Sequence, residues 1–316
     1  MSFRQFIIKR LLYVLPTLFL VTVAVFSILH MVPGDPVDAL LAEIQDEEMR
    51  VILIRQLGLD QPIHVQYFRW MSRILQGDLG QSILHNRSVS LIIKEALPRT
   101  AYLALAAMAL ALVVSLPLGI IAAVKRKTIT DYFAQVIAMI GLSVPAFWEG
   151  LLVMFFFGLI LGWFPVGGYV APSEDFLGFL HHLVLPAVVL GFELVAVMTR
   201  MTRSTMLDEL NKDYVQTHRS QGLPERQIIA RYVLKNALIP TVTIGSLRLA
   251  ALLGGTVVIE SVFSWPGIGR TILEGITSQD FPVVQGGVLI VSFSFIFMNL
   301  VVDIVYKWLD PRIKLE

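Results

Sequence analysis

"DYVQTHRSQGLPERQIIARYVLKNALIP", residues 213–240, is a polar stretch held between two strongly apolar ones. Gly222 suits the left-handed position that closes a helix, and Pro224 suits the first turn of the next. Leu223 stands before a proline and is pushed out of helical geometry. The expectation is a helix, a sharp corner and a second helix, carrying Arg219, Arg226, Arg231 and Lys235. A simple helix–helix connection needs only about 2–8 residues. The segment therefore reads either as a solvated hairpin or as a knob built to be gripped.

On both sides of it the chain is apolar. Of 316 residues, 56% are hydrophobic and only 16% charged, and the mean hydropathy is +0.72. These values lie outside the soluble globular range and indicate a membrane protein. A net charge of +1 gives no basis for a nucleic-acid partner. The absence of cysteine excludes disulfides, thiolate metal sites and a cysteine nucleophile.

A helix crossing the hydrocarbon core needs about 20 mostly apolar residues. Runs of that length fall at 11–31, 100–124, 132–160, 183–203, 238–260 and 282–306. The third is long enough to hold a kink or re-entrant piece at Ser143, Val144 and Pro145. The fold class expected is an all-α polytopic membrane protein with about six transmembrane helices. The first run is too long, and lacks the small-residue cleavage site, to be a signal peptide, so it reads as a retained span.

Sidedness follows from lysine and arginine in the short loops. Arg4, Lys9 and Arg10, then Lys125, Arg126 and Lys127, then Arg200 and Arg203, and finally Lys307, Arg312 and Lys314 all fall on one side, together with the 213–240 stretch. That side is expected to be the cytoplasm, with both termini in it. Segment 32–99 lies outside; loops longer than about 60 residues translocate largely regardless of charge. Within it, "PIHVQYFRWMSRILQG" places Ile63, Tyr67, Trp70, Met71 and Ile74 on one helical face, with Pro62 at the start and Gly77 past the end. It reads as an amphipathic helix that either caps the spans or meets an external partner.

Charges inside spans are costly and tend to face an interior. Arg248 lies on the order of 12 Å of helix rise from the cytoplasmic end of the fifth span, and Glu193 sits at similar depth in the fourth. The expectation is that they pair within the bundle or line a translocation path. Glu149 and Glu260 lie nearer the outside, where they can reach the interface. In "SWPGIG" (264–269), Trp265, Pro266 and Gly267 suit either an aromatic anchor followed by a turn or a part of an outer gate. His181 and His182 lack a third ligand at metal spacing. Ser143 and Ser292 lack a base nearby in sequence. No catalytic residue and no metal site is expected.

The residues at 213–240 resemble the membrane-spanning subunits of bacterial ATP-binding-cassette importers, specifically the peptide/nickel permease group. That group typically reads "DYVRTARAKGL…RNALLP" where this chain reads "DYVQTHRSQGL…KNALIP". Gln216, Thr217 and His218 replace the Glu-Ala-Ala of the general pattern. "HMVPGDP" (30–36), "LGLDQP" (57–62), "GDLGQS" (77–82), "ESVFSWPGIGR" (260–270) and "VVDIVYKWLDPRI" (301–313) resemble the same group in order.

The resemblance implies a type I importer permease fold in the inner membrane. It divides the chain into 1–31 with the first span, an extracytoplasmic loop 32–99, a core 100–306 containing a coupling loop 204–240, and a tail 307–316. It also implies that Asp213, Tyr214, Thr217, Arg219, Gly222, Leu223 and Pro224 meet a cytoplasmic ATPase. The implied partners are a second homologous permease subunit forming a heterodimer, two ATP-binding subunits and an extracytoplasmic substrate-binding protein, within membrane lipid. ATP and Mg are expected on the ATPase subunits, since no G-x-x-x-x-G-K-[ST] loop occurs in this chain. The group serves dipeptides, oligopeptides, glutathione and nickel chelates, and short peptides are the expectation here. An ion-coupled secondary carrier is the alternative, although no convincing inverted repeat supports it.

Overall fold

The computed structural model describes residues 3–31 and 60–309. "VPGDP", the first half of "LGLDQP" and the final "DPRI", together with the boundaries drawn inside 32–59 and the end of the tail, lie outside the described residues. Among the described residues no strand forms, and Gln81 and Ser88 make an isolated antiparallel bridge. Contacts divide the chain into two compact units, Met1–Thr100 with Pro266–Ile296, and Ala101–Trp265 with Phe297–Glu316.

In the first unit, α1 (Phe3–Met31) precedes the amphipathic α2 (Ile63–Leu75). Pro62 occupies the cap of α2, and Gly77 takes φ +81° just past its end, as the sequence leads one to expect. Tyr67, Trp70, Met71 and Ile74 are half-buried, whereas Ile63 is exposed. The buried face meets α1. The Tyr67 hydroxyl lies 2.8 Å from Thr22 Oγ1, and the Phe26 ring packs on Tyr67 and Trp70.

The same unit contains the start of α3 (Val89–Val124), α11 (Ile268–Thr277) and the start of α12 (Phe281–Leu309). Val89, Ile93, Ala96, Ile268 and Val283 form its core. The buried Asp280 accepts hydrogen bonds from Ser82 Oγ at 2.5 Å and from Leu84 N at 3.2 Å, tying the turn before α3 to the start of α12.

The second unit is built around α6 (Phe176–Leu210), capped by the Asp175 carboxylate, which accepts from Leu177 N at 3.0 Å. α4 (Ile129–Ser143), α5 (Ala146–Val153), α9 (Leu234–Gly255) and α10 (Val257–Val262) pack on α6. Small residues permit the close approach: a Cβ on Gly141 would stand 2.9 Å from that of Ala196, and one on Gly119 would stand 2.6 Å from that of Thr202. α5 continues as a π-helix, Met154–Ile160, and a second π-helix, Ile228–Val233, precedes α9.

α4 and the α5 segment are bent by 106° at the break after Ser143. The third apolar run is thus two helices and not one continuous helix, because Pro145 cannot continue the helix and Val144 before it is extended. By length and composition, Val89–Val124, Phe176–Leu210 and Phe281–Ile304 can each cross a membrane, and the bent pair meets the same criterion when its two helices are taken together. The run at 11–31 is helical, with Leu12–Ser27 as its shorter apolar stretch. The run at 238–260 is helical but interrupted at Thr256, where α9 gives way to α10.

Two sequence expectations about single side chains are corrected. Glu260 does not reach an interface: it is fully buried and accepts from Thr256 Oγ1 at 2.6 Å. Trp265 is likewise fully buried, with its ring 4.9 Å from Tyr169 and 6.2 Å from Phe179. It is a core element of its unit with Leu103, Val189 and Phe263, not an exposed aromatic anchor. Pro266 accepts from Arg99 NH1 at 3.4 Å, and the buried Gly267 caps α11 through bonds from Thr271.

Candidate functional site

The polar stretch begins where α6 ends. Lys212 pairs with Glu209 at 2.5 Å, and the Tyr214 hydroxyl donates to the other oxygen of Glu209 at 2.8 Å. α7 (Asp213–Ser220) follows, with Asp213 in its first turn and His218 and Arg219 in its last, both favourable to the helix dipole. Leu223 N donates to His218 O and Gly222 N to Arg219 O, while Gly222 takes φ +77°. This is a Schellman closure, in which a left-handed residue lets two backbone N–H groups satisfy the last carbonyls of the helix. Pro224 is extended and caps the short α8 (Glu225–Gln227).

One side of this corner is fixed and the other is open. Val215, Ile228 and Val233 are fully buried against Met206, Ala237 and Ala123, with Tyr214 and Leu223 packed at the edge of the same cluster. Asp213, Gln216, Thr217, Arg219, Gly222, Pro224 and Arg226 are exposed. His218 packs on Tyr232 with ring centres 4.2 Å apart.

Arg219 spans the corner and donates to both oxygens of Glu225, at 3.0 and 2.5 Å. The guanidinium beside it holds the Glu225 carboxyl below its ordinary value of 4.5. Because the folded value is depressed, the contribution of the pair is present above that ordinary value and is lost as the pH falls through the folded one. Both side chains are about half exposed, so Glu225→Gln is expected to cost only about 0.2–1 kcal/mol at neutral pH. Thermal unfolding of the purified protein checks this: the difference from wild type should be small at pH 7 and vanish in acid.

Sequence reasoning singled out Glu193 and Arg248, and the structure brings them together. Arg248 NH1 donates to Glu193 Oε1 at 3.2 Å, with the two side chains 46% and 52% exposed. A second pair escaped that reasoning. Asp131, 1% exposed, accepts from Arg203 Nε at 2.6 Å and NH2 at 2.9 Å, from Lys127 N at 2.9 Å and from Gln135 Nε2 at 3.0 Å. In the sequence Arg203 marks only sidedness, and nothing there joins it to Asp131. The two histidines bind carbonyls, His181 that of Trp163 and His182 that of Gly178. Ser143 bonds back to Met139 O.

An all-α chain with a sharply bent third apolar segment and an anchored helical corner has the architecture of a type I ABC importer permease. Its fold is similar to that of a chain from the inward-facing MetNI methionine ABC transporter, with a TM-score of 0.53 at 17% identity, over 69% of this chain and 96% of that one. Residues 115–315 match the family of the binding-protein-dependent transport system inner membrane component, and residues 3–104 match its N-terminal companion family. The chain belongs to this family of inner-membrane permease components.

The glutathione transport system permease protein GsiC of Escherichia coli (strain K12) is 40% identical over 310 residues, covering 98% of this chain and 99% of that protein. The di/tripeptide transport system permease protein DppB of Pseudomonas aeruginosa (strain UCBPP-PA14) is 39% identical over 331 residues, covering 98% of each. These matches identify an ABC importer permease and set aside the ion-coupled carrier. They also make it a multi-pass inner-membrane protein that works with ATPase and substrate-binding proteins.

Proposed function

We propose that this chain forms half of the translocation path of an ATP-driven importer of short peptides or of close chemical relatives such as glutathione. It pairs with a second, non-identical permease subunit. Both termini and the 213–240 stretch face the cytoplasm, where lysine and arginine concentrate in the short loops. ATP and Mg2+ bind two separate ATPase subunits, and this chain does no chemistry itself. An extracytoplasmic binding protein delivers the solute.

The observation that carries the reading is the corner at Gly222, seated on a buried apolar cluster on one side and open on the other. Such an element transmits a push to the helices it sits on without bending. Asp213, Tyr214, Thr217, Arg219, Gly222, Leu223 and Pro224 form the surface that the ATPase grips, and Glu193 and Arg248 line the path. The short-peptide reading is supported by the names of the relatives.

The test is reconstitution of the permease pair, the ATPase subunits and the binding protein in proteoliposomes, followed by uptake of labelled Ala-Ala. Uptake should require ATP inside and the ATPase subunits. Uptake driven by an ion gradient without those subunits would overturn the proposal.

A further inference from the structure

α6 carries a polar stripe on the face it turns away from the bundle. Glu193, Arg200 and Ser204 are exposed along it at helical spacing, while Leu194, Val195, Ala196, Met198 and Thr199 between them are buried. Glu193 lies midway along Phe176–Leu210, one of the helices able to cross a membrane. Charged groups at that depth are expensive against lipid and mark protein interiors or aqueous paths. The neighbouring helix α9 brings Arg248 to the same exposed face.

The two ion pairs of this unit differ in kind. Arg203 and Asp131 meet through two hydrogen bonds in a nearly dry setting, with further donors completing the carboxylate. Arg248 and Glu193 meet through one N–H at 3.2 Å, with about half of each side chain exposed. A bidentate buried pair is a clamp, whereas a single exposed contact is worth little and is easily exchanged.

This exposed face therefore presents a guanidinium on one helix and a carboxylate on its neighbour. That arrangement complements a solute bearing both an ammonium and a carboxylate. An arginine fork receives a carboxylate through two parallel bonds, and a glutamate receives an ammonium. An extended dipeptide spans about 7 Å, more than the present gap, so Glu193 and Arg248 must separate to hold its two ends. Long, half-exposed side chains on separate helices can do so without moving the backbone.

We propose that Glu193 and Arg248 are a dissociable charge pair in the translocation path, exchanged against the ammonium and carboxylate of a passing short peptide. This rests on the short-peptide importer reading and adds the groups that would recognise the solute. With the pair closed, the two charges satisfy each other. With a zwitterion present, both keep a partner of opposite sign.

The experiment measures uptake of Ala-Ala, N-acetyl-Ala-Ala and Ala-Ala-amide by the complete transporter in proteoliposomes, with one binding protein throughout. Because the variants leave the binding protein untouched, any change in the ratios between these solutes belongs to the permease. Arg248→Gln should reduce the preference for Ala-Ala over Ala-Ala-amide roughly tenfold, the size of one lost charge-assisted hydrogen bond. Glu193→Gln should do the same for the preference over N-acetyl-Ala-Ala. The doubly neutral variant Glu193→Gln with Arg248→Gln, purified in wild-type yield, leaves no unpaired charge and keeps the test open if a single variant fails to assemble. In it both preferences should change together. Wild-type uptake of Ala-Ala with unaltered ratios in the assembled variants overturns the charge exchange alone. A wild-type complex that hydrolyses ATP but imports none of the three overturns the short-peptide reading and the exchange with it.

Discussion

Arg203→Ala is expected to destabilise the folded protein by about 3–5 kcal/mol, the usual consequence of leaving a buried charge without its partner. Asp131 is 1% exposed. Its carboxylate would keep Lys127 N and Gln135 Nε2 as donors but lose both bonds from Arg203. Domains are stable by only about 5–15 kcal/mol, so a loss of this size should be visible as low yield and a lowered unfolding temperature in detergent. Asp131→Asn should cost less: its amide carries no charge, and the Arg203 side chain, 21% exposed, can still reach solvent. Replacing both, as in Asp131→Leu with Arg203→Met, should recover much of the loss, because an apolar pair leaves nothing unsatisfied. Wild-type stability of Arg203→Ala would show that the clamp does not hold the fold.

Gly222→Pro should leave the protein inserted and assembled while import falls on the order of 5–150-fold, the usual size of a coupling free energy between two sites. Proline fixes φ near about −65°, whereas Gly222 takes φ +77°, and its N–H donates to Arg219 O. The Schellman closure cannot form with that residue, so the direction of the chain between α7 and α8 changes. No atom lies within 4 Å of a Cβ placed on Gly222. The damage is therefore conformational and local, and the buried cluster around Val215 and Ile228 is left in place. Gly222→Ala should be intermediate, costing about 1–2 kcal/mol for a left-handed residue with a side chain. Deletion of 216–224 should abolish coupling altogether. The readout is ATP hydrolysis and solute uptake measured on the same vesicles: hydrolysis should continue while uptake is lost. Undiminished uptake by the deletion variant would remove the coupling role from this corner.

The two changes differ in what could be foreseen. The corner at Gly222, the end of α2 at Gly77 and the break at Pro145 are legible because each is decided within a few residues. A left-handed glycine, or a proline with no N–H, acts on its own turn of chain wherever the chain goes. The spans are legible for a related reason: an apolar run of the required length has few other places to be. Glu193 and Arg248 were found as costly charges at matching depth, which hydropathy alone exposes.

Other features follow only from packing. Asp131 and Arg203 lie 72 positions apart, and each taken alone reads as an ordinary charge at the end of a span. Trp265 carries the sequence marks of an interfacial aromatic and is buried because Tyr169 and Phe179 reach it from elsewhere in the chain. Glu260 stays within the protein because Thr256, one helical turn away, donates to it. Local backbone geometry and hydrophobic length are properties of neighbouring residues, so the order of helices, the corner and the membrane class were fixed by sequence. Which charge meets which, and which ring is buried, depends on helices brought together over long separations, and only the tertiary structure decides it.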